Sequence, residues 1–203
     1  MGNREELLAG ARECLLEKGY VQTTARDIAS ASGVSLAAIG YHFGTNEALL
    51  QEAMVEANIE WGERIKSAVS MMQAPGDTAF PEWFEQCWTR IIAASREDQR
   101  LLQASIEVLL NVDQDTPVCS SLTNGMQCAR DALAVMFGHG EDDLDPHEAT
   151  AVGAFYHALM IGVRLLHAAT PERAPGPDDI TLAMQTISRK FCEKSTEADP
   201  ADR

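Results

Sequence analysis

The sequence is short of positive charge: Lys and Arg number 16 among 203 residues against 31 Asp and Glu, a formal net charge of -15. That balance excludes a protein coated in basic surface for nucleic acid. It does not exclude a small local surface for DNA, because charges are screened within about 8 Å at physiological salt and affinity follows the field at the contact. Cysteine is sparse and unpatterned. Cys14, Cys87, Cys119, Cys128 and Cys192 form no Cys-x-x-Cys pair, so a zinc or dithiol motif is excluded and reduced core thiols are expected. No apolar segment opens the chain, since Asn3-Arg4-Glu5-Glu6 leads into a mixed stretch, and no unbroken run of about 18 apolar residues follows. A soluble, cytoplasmic protein with no membrane partner is expected. P-loop, dinucleotide and nucleophile-elbow motifs are absent. Glu141, Asp142, Asp143, Asp145, His147 and Glu148 lack EF-hand spacing, no Glu-x-x-His occurs, and the cluster reads as a solvated acidic loop. Glu52, Glu56, Glu60 and Glu63 read as an exposed acidic helix face. No metal, no cofactor and no enzymatic activity are expected.

Alternating β-branched runs are also missing, whereas apolar residues recur at helical spacing nearly throughout, so the fold class is all-α. Asn3 with Glu6 reads as a cap for a first helix bearing Leu7, Leu8, Ala11, Cys14 and Leu15 on one face, ended by Gly19. Thr24 with Asp27 starts a short second helix to Ser32, and Ser35 caps a third to about Tyr41, with Gly40 able to end it early. Thr45 caps a fourth, long helix from Asn46 to about Met72, closed by Ala74-Pro75-Gly76-Asp77. Further helices are predicted at Pro81 to Ser95, Asp98 to Asn111, Pro117 to Phe137, Pro146 to Ala169 and Pro177 to Lys194, with a frayed tail over 195–203. The long helix joins a small head, residues 1–60, to a larger bundle, residues 61–203.

Within the head, Ile28, Val34 and Ile39 can form the core between two crossing helices, with Ala29 small at the crossing and Gly33 freeing the turn. This is helix-turn-helix spacing, whose second helix suits a major groove about 12 Å wide. A structural helical hairpin meets the same core demands. The run Gly19-Tyr20, Thr23-Thr24, Asp27-Ile28-Ala29, Ser32-Gly33-Val34-Ser35, Ile39, Tyr41-His42-Phe43 and Glu47-Ala48-Leu49-Leu50 resembles the N-terminal domain of the TetR family of transcriptional regulators. The resemblance ends near residue 60. It implies that Ser35, Leu36, Ala37, Ala38, Tyr41 and His42 face DNA, with Thr24 and Arg26 on phosphate. The hydroxyls and Arg26 suit phosphate oxygens, while Leu36, Ala37 and Ala38 offer only apolar contact. Gly40 and Asn46 stand where many relatives carry tyrosine and lysine. Asn46 can still donate to phosphate without adding charge.

In the bundle, Val152, Tyr156, Leu159, Val163 and Leu166 form one stripe of the Pro146 helix, and Ala151, Ala154, Ala158, Gly162 and Leu165 form a second, so that helix has two faces to bury. Ile180, Met184, Ile187 and Phe191 form a stripe on the last helix. The resemblance implies that the two helices pair with their copies, making Val152, Tyr156, Leu159, Val163, Leu166, Ile180, Met184, Ile187 and Phe191 a homodimer interface. Phe80, Trp83, Phe84, Cys87, Trp88 and Ile91 make an aromatic face, with Trp61, Met126, Met136 and Met160 elsewhere. Either plain core or pocket lining fits such residues. The pocket candidates are Trp61, Trp83, Cys87, Trp88, Met126, His157, Met160 and Arg164, where His157 and Arg164 share a helix sector with Gly153 and His167 and could jointly meet an anion. The resulting expectation is a ligand-responsive, homodimeric DNA-binding regulator, a repressor released from double-stranded operator DNA by a small-molecule effector. The competing reading is an all-α small-molecule binding protein or enzyme whose head no longer binds DNA.

Overall fold

The computed structural model describes residues 2–70, 80–111, 116–138 and 144–197, and among these it contains helices and connecting turns without strands. The order is α1 (Asn3–Lys18), α2 (Ala25–Ser32), α3 (Leu36–Phe43), α4 (Asn46–Ser70), α5 (Phe80–Glu97), α6 (Gln99–Asn111), α7 (Pro117–Phe137), α8 (Pro146–Ala169) and α9 (Pro177–Glu197). The all-α class and every expected helix are present. The expected breakers at 74–77 and 113–115, the acidic residues 141–143 and the tail beyond 197 lie outside the described residues.

Helix ends follow local chemistry. The first cap sits one residue earlier than expected: Gly2 is the N-cap, and its backbone N–H donates to Glu5 rather than involving Asn3 and Glu6. Thr24 and Asp27 form the expected reciprocal box. Gly19 and Gly33 end α1 and α2 at φ of 83° and 69°, a region that costs glycine little. Gly40 does not end α3, which continues to Phe43 and stops at Gly44; one glycine costs a helix about 1 kcal/mol, less than the packing of Ile39 and Phe43 returns. Asp145 and Glu148, expected to be loop acids, instead cap α8: Asp145 accepts from His147 and Glu148 backbone N–H groups, and Glu148 accepts from that of Asp145. α5 extends the expected span at both ends, and α9 runs on to Glu197.

Two cores organise the molecule. The first gathers Leu7, Ala11, Leu15, Ile28, Val34, Ile39, Leu49 and Met54 from the head, and takes in Ala104 and Val108 of α6 and Leu122 of α7. The head therefore rests on the body and is not a bead on a stalk. Gly10 sets the α1–α2 crossing, because a Cβ there would lie 2.9 Å from both Cβ and N of Ser32. Ala29, expected at the helix crossing, is only half-buried. The second core joins Trp61 and Ile65 of α4, Phe84, Cys87, Trp88 and Ile91 of α5, Leu133 and Phe137 of α7, Tyr156, Met160 and Val163 of α8, and Ile180 of α9.

The acidic face of α4 is partly engaged: Arg4 pairs with Glu52 and Arg12 with Glu60, two rungs from α1 to α4, and Glu63 pairs with Lys66. Exposed rungs of this kind contribute about 0–1 kcal/mol each and orient more than they stabilise. Three cysteines are core thiols, but Cys128 and Cys192 are exposed. α8 is long and apolar enough to cross a bilayer by length and composition, with mean hydropathy 1.4 over 18 residues, although no unbroken apolar run marks it in the sequence. Its apolar residues serve two faces, one inward and one outward.

Candidate functional site

The head exposes one compact polar and apolar surface. On α3, Leu36, Ala37, Gly40 and Tyr41 are exposed and fall within a single sector at 100° per residue, with Ser35 exposed just ahead of them. Tyr41 is 85% exposed and Leu36 48%. Ile39 is the buried residue of the helix, and Ala38 and Phe43 pack against the same core. His42 is half-buried, its ring edge-on to Tyr41 at 4.9 Å and to Phe43 at 6.4 Å, which gives it a packing role beside any outward one. Ser35 is the N-cap of α3 without a side-chain cap bond, so its hydroxyl is free to meet another acceptor or donor.

Thr24 is exposed, yet its hydroxyl already donates to Asp27 at 2.6 Å and accepts from the Asp27 backbone N–H at 3.3 Å. Asp27 also pairs with Lys18, and the Lys18 ammonium together with Thr24 holds its carboxyl far below the usual range. Residues 1–60 contain four Lys or Arg, namely Arg4, Arg12, Lys18 and Arg26. The first three pair with Glu52, Glu60 and Asp27. Arg26 is exposed and pairs with no described residue, which leaves it as the head's one unengaged described cation, in the first turn of α2. Asn46, the first residue of α4, is half-buried with its Oδ1 unpartnered; its amide nitrogen is the end left to face outward.

The body brings most of the pocket candidates together. Trp61, Cys87, Trp88 and Met160 share the second core and Trp83 packs against it. Phe137 is its hub: it stacks on Trp88 with ring centroids 6.2 Å apart, meets Trp83 edge-on at 6.0 Å and lies 4.4 Å from the Tyr156 ring. Met126 is half-buried and outside that cluster. Gly153, His157, Met160, Arg164 and His167 all point inward. The Arg164 guanidinium lies 3.8 Å from the centroid of the Trp61 ring. Burial, with Arg130 and Arg164 nearby, pushes His157 below its usual pKa. Burial alone pushes the Cys87 thiol up to about 12, against the pull of Arg90, so it is no nucleophile at neutral pH.

The expected interface stripe is split by the fold. Tyr156, Val163 and Ile180 are buried in the chain's own second core, and Val152, Leu159 and Met184 pack against it. Leu166, Ile187 and Phe191 are exposed, as are Phe155, Leu165 and Leu182. On α8 the outward face is thus the stripe of Ala151, Ala158 and Leu165, with Phe155 and Leu166. The inward face of α8 is neither apolar stripe but the sector of Gly153, His157, Met160, Arg164 and His167, with Tyr156 and Val163 from the edge of the first stripe; Gly153 lets α7 close on it, since a Cβ there would come 2.3 Å from the Arg130 carbonyl oxygen.

The model of the family described as bacterial regulatory proteins, tetR family, matches residues 7–53. Those residues hold most of α1, the crossing at Gly10, and the whole exposed sector of α3. The match is confined to the N-terminal head, which is therefore similar to the DNA-binding domain of that family. The HTH-type transcriptional repressor AcnR of Corynebacterium efficiens is 45% identical over 49 residues, 24% of this chain and 26% of that protein. AcnR of Corynebacterium glutamicum is 47% identical over 47 residues, 23% of this chain and 25% of that protein. The match spans about a quarter of the length of these relatives. Beyond the head the likeness is one of fold. A TetR transcription regulator from Haloarcula marismortui superposes with a TM-score of 0.64 at 20% identity, covering 92% of this chain and 95% of that one. A candidate transcriptional regulator from Streptomyces coelicolor A3(2) does so with a TM-score of 0.66 at 24% identity, covering 92% and 96%.

Three residues that the sequence pattern does not single out matter to the geometry of the head. Gly10 sets the brace between α1 and α2. Glu107 of α6 accepts from the backbone N–H groups of Tyr20 and Val21 at 3.0 and 3.4 Å, and Arg100 donates to the Glu17 carbonyl at 3.3 Å, so α6 holds the end of α1. A glycine in a helix was the available signal for Gly10; nothing local marks Glu107 or Arg100, whose partners lie more than eighty positions away in the chain.

Proposed function

We propose that the chain is a ligand-responsive DNA-binding transcriptional regulator, acting as a repressor that a small molecule releases from double-stranded operator DNA. The observation that carries this reading is the exposed α3 sector, with Arg26 of α2 as the head's one unengaged described cation, in a domain that matches the tetR-family model. Ser35, Leu36, Ala37, Ala38 and Tyr41 meet base edges or adjoining sugar and phosphate, Arg26, Thr24 and Asn46 meet phosphate, and His42 orients Tyr41 while reaching the backbone. Residues 1–60 form the DNA-binding part and residues 61–203 the effector-binding and dimerising part. The chain works as a cytoplasmic homodimer through the outward apolar faces of α8 and α9, including Phe155, Leu166, Ile187 and Phe191. Two recognition helices then reach successive major grooves about 34–36 Å apart. Effector binding favours a dimer in which they no longer fit, and α6 carries the change to the head through Glu107 and Arg100. No catalytic step enters this function.

The test is a mobility-shift titration with duplex from beside the protein's own gene. The wild-type protein shifts it specifically. Arg26→Ala weakens binding to operator and random duplex alike and flattens the plot of log K against log salt by about one unit for each phosphate that Arg26 no longer neutralises. No specific shift, or an Arg26→Ala effect identical at every salt concentration, overturns the reading.

A further inference from the structure

The inward side of α8 carries positive charge that its surroundings do not answer. Arg164 is 7% exposed, its Nε has no hydrogen-bond partner, and no described carboxylate pairs with it. Asp98 exerts the one acidic field on it, and Asp98 is already held by Arg64. Arg130 of α7 is half-buried, with a buried and unpartnered Nε, and Gly153 lets α8 press directly on the Arg130 backbone. His157, 7% exposed, shares the α8 sector with Arg164, seven residues or roughly 10 Å along the axis. It feels both guanidinium groups.

Around these lie the indole N–H groups of Trp61, Trp83 and Trp88, all buried without an acceptor. Together with the two arginine Nε groups they are five unsatisfied polar groups of the body, and all five are donors. His167 Nδ1 is also unpartnered, and its tautomer sets its role. Buried donors left unpaired are costly, and a buried guanidinium more so. The face of Trp61 offsets only a small part of that cost. Burial pushes Arg164 down to about 10, which still leaves it charged at neutral pH. A water molecule could accept from an indole but would not neutralise the charge.

We propose that the interior of the body, between α4, α7 and α8, binds an amphiphilic organic anion, whose carboxylate or phosphate group accepts from Arg164 while its apolar part lies against Trp61 and Met160. This names the chemistry of the effector and rests on the reading of the body as the effector-binding part. Its test contains no DNA, so failure here leaves operator binding standing, and failure of operator binding leaves this site standing.

The full chain is titrated in low-salt buffer with decanoate and naphthoate, with the uncharged decanol and naphthalenemethanol, and with decyl phosphate, following tryptophan fluorescence and the melting temperature. The carboxylates bind the wild type at least tenfold more tightly than their neutral counterparts and raise Tm by several degrees at about 100 times Kd. Decyl phosphate binding tighter than decanoate assigns a phosphate head, and the reverse assigns a carboxylate. Arg164→Met erases the preference for charge and, without any probe, melts at or above the wild type, because an unanswered buried charge has gone. Arg164→Lys keeps part of the preference. Equal binding of charged and neutral probes by the wild type overturns the proposal. So does an Arg164→Met protein that melts several degrees lower, which would make Arg164 a structural brace.

Discussion

The head and the body use polar side chains in opposite ways. In the head, most are satisfied by neighbours a few positions away: Thr24 with Asp27, Ser32 with the Ile28 carbonyl, Thr45 with the Ala48 N–H. The groups left over, Arg26, Ser35 and the Tyr41 ring, stand outside, and the buried Asn46 Oδ1 is the exception among the described residues. In the body, Arg130, Arg164 and three indole N–H groups are left over on the inside. A surface for a large, rigid, highly charged partner can be built on short helices whose own hydrogen bonds are closed, since the partner comes to it. A site for a small molecule has to hold its unsatisfied groups within packed walls, and only contacts far apart in the chain can do that. Charge follows the same division: the acidity of the whole chain coexists with the unengaged Arg26 on the outside of the head and the buried Arg164 within the body.

The comparison breaks hardest at Trp88, which is fully buried and stacked on Phe137. Trp88→Ala should cost about 3–5 kcal/mol of stability, the range for truncating a buried aromatic. Denaturant unfolding followed by circular dichroism measures it. Loss below about 1 kcal/mol would mean that this ring lines an open, adaptable wall and not a packed core. Gly10→Ala is the complementary break in the head. Its Cβ would crowd the backbone nitrogen of Ser32, so a cost of about 1–3 kcal/mol is expected. Specific DNA binding should fail while binding of charged probes in the body survives. Should both fail together, the packing of Ala104, Val108 and Leu122 into the head's core makes the two regions one cooperative unit.

How far each region was legible follows from the range of its contacts. The helices α7 and α8 begin and end where Pro117, Pro146 and the following breakers place them, because caps and prolines act within four residues. The core of Ile28, Val34 and Ile39 was equally legible, being fixed by the period of two short helices. The Gly10 crossing was not, since a glycine at a close approach and a tolerated one look alike until the partner helix is in place. On α8 the period showed two apolar faces, yet the buried face is centred on the polar sector of His157 and Arg164 and takes only the edge of the first stripe. Tyr156 and Val163 consequently belong to the chain's own core. His157 and Arg164 were legible as a pair on one sector, and their burial was not, because it depends on Trp61, about a hundred positions earlier.

A smaller change sharpens the head's side of the contrast. Asn46 sits at the start of α4 with its oxygen turned inward. Asn46→Lys should extend an ammonium past it toward the phosphates that the helix N-terminus already favours. Binding to operator and random duplex should tighten alike, with the slope of log K against log salt steeper by about 0.9 per subunit, nearly two for a dimer. Isotherms over a salt series on both duplexes measure it, and no gain on either would take Asn46 off the DNA face.

The smallest effect expected is on the body's side, and it is read by pH. His157 is buried, and both Arg130 and Arg164 face it, so its folded pKa lies below the ordinary value of 6.5. The unfolded chain therefore binds a proton that the folded chain refuses. Stability from this group is fully present above 6.5 and is lost as pH falls from there toward the depressed folded value. Tyr156 beside it is pushed up by burial and stays neutral throughout, and Asp27, held low by Lys18 and Thr24, gives up its contribution only at far lower pH. His157→Gln should thus flatten the fall in Tm between about pH 6.5 and 5 relative to wild type, while leaving Tm near pH 8 within a degree or two. A bound anion at Arg164 should shrink the wild-type fall as well, since it offsets part of the positive field that, with burial, depresses His157. If the wild-type slope is the same with and without decanoate, the ring and the anion do not share a field, and the histidine belongs to the core and not to the site.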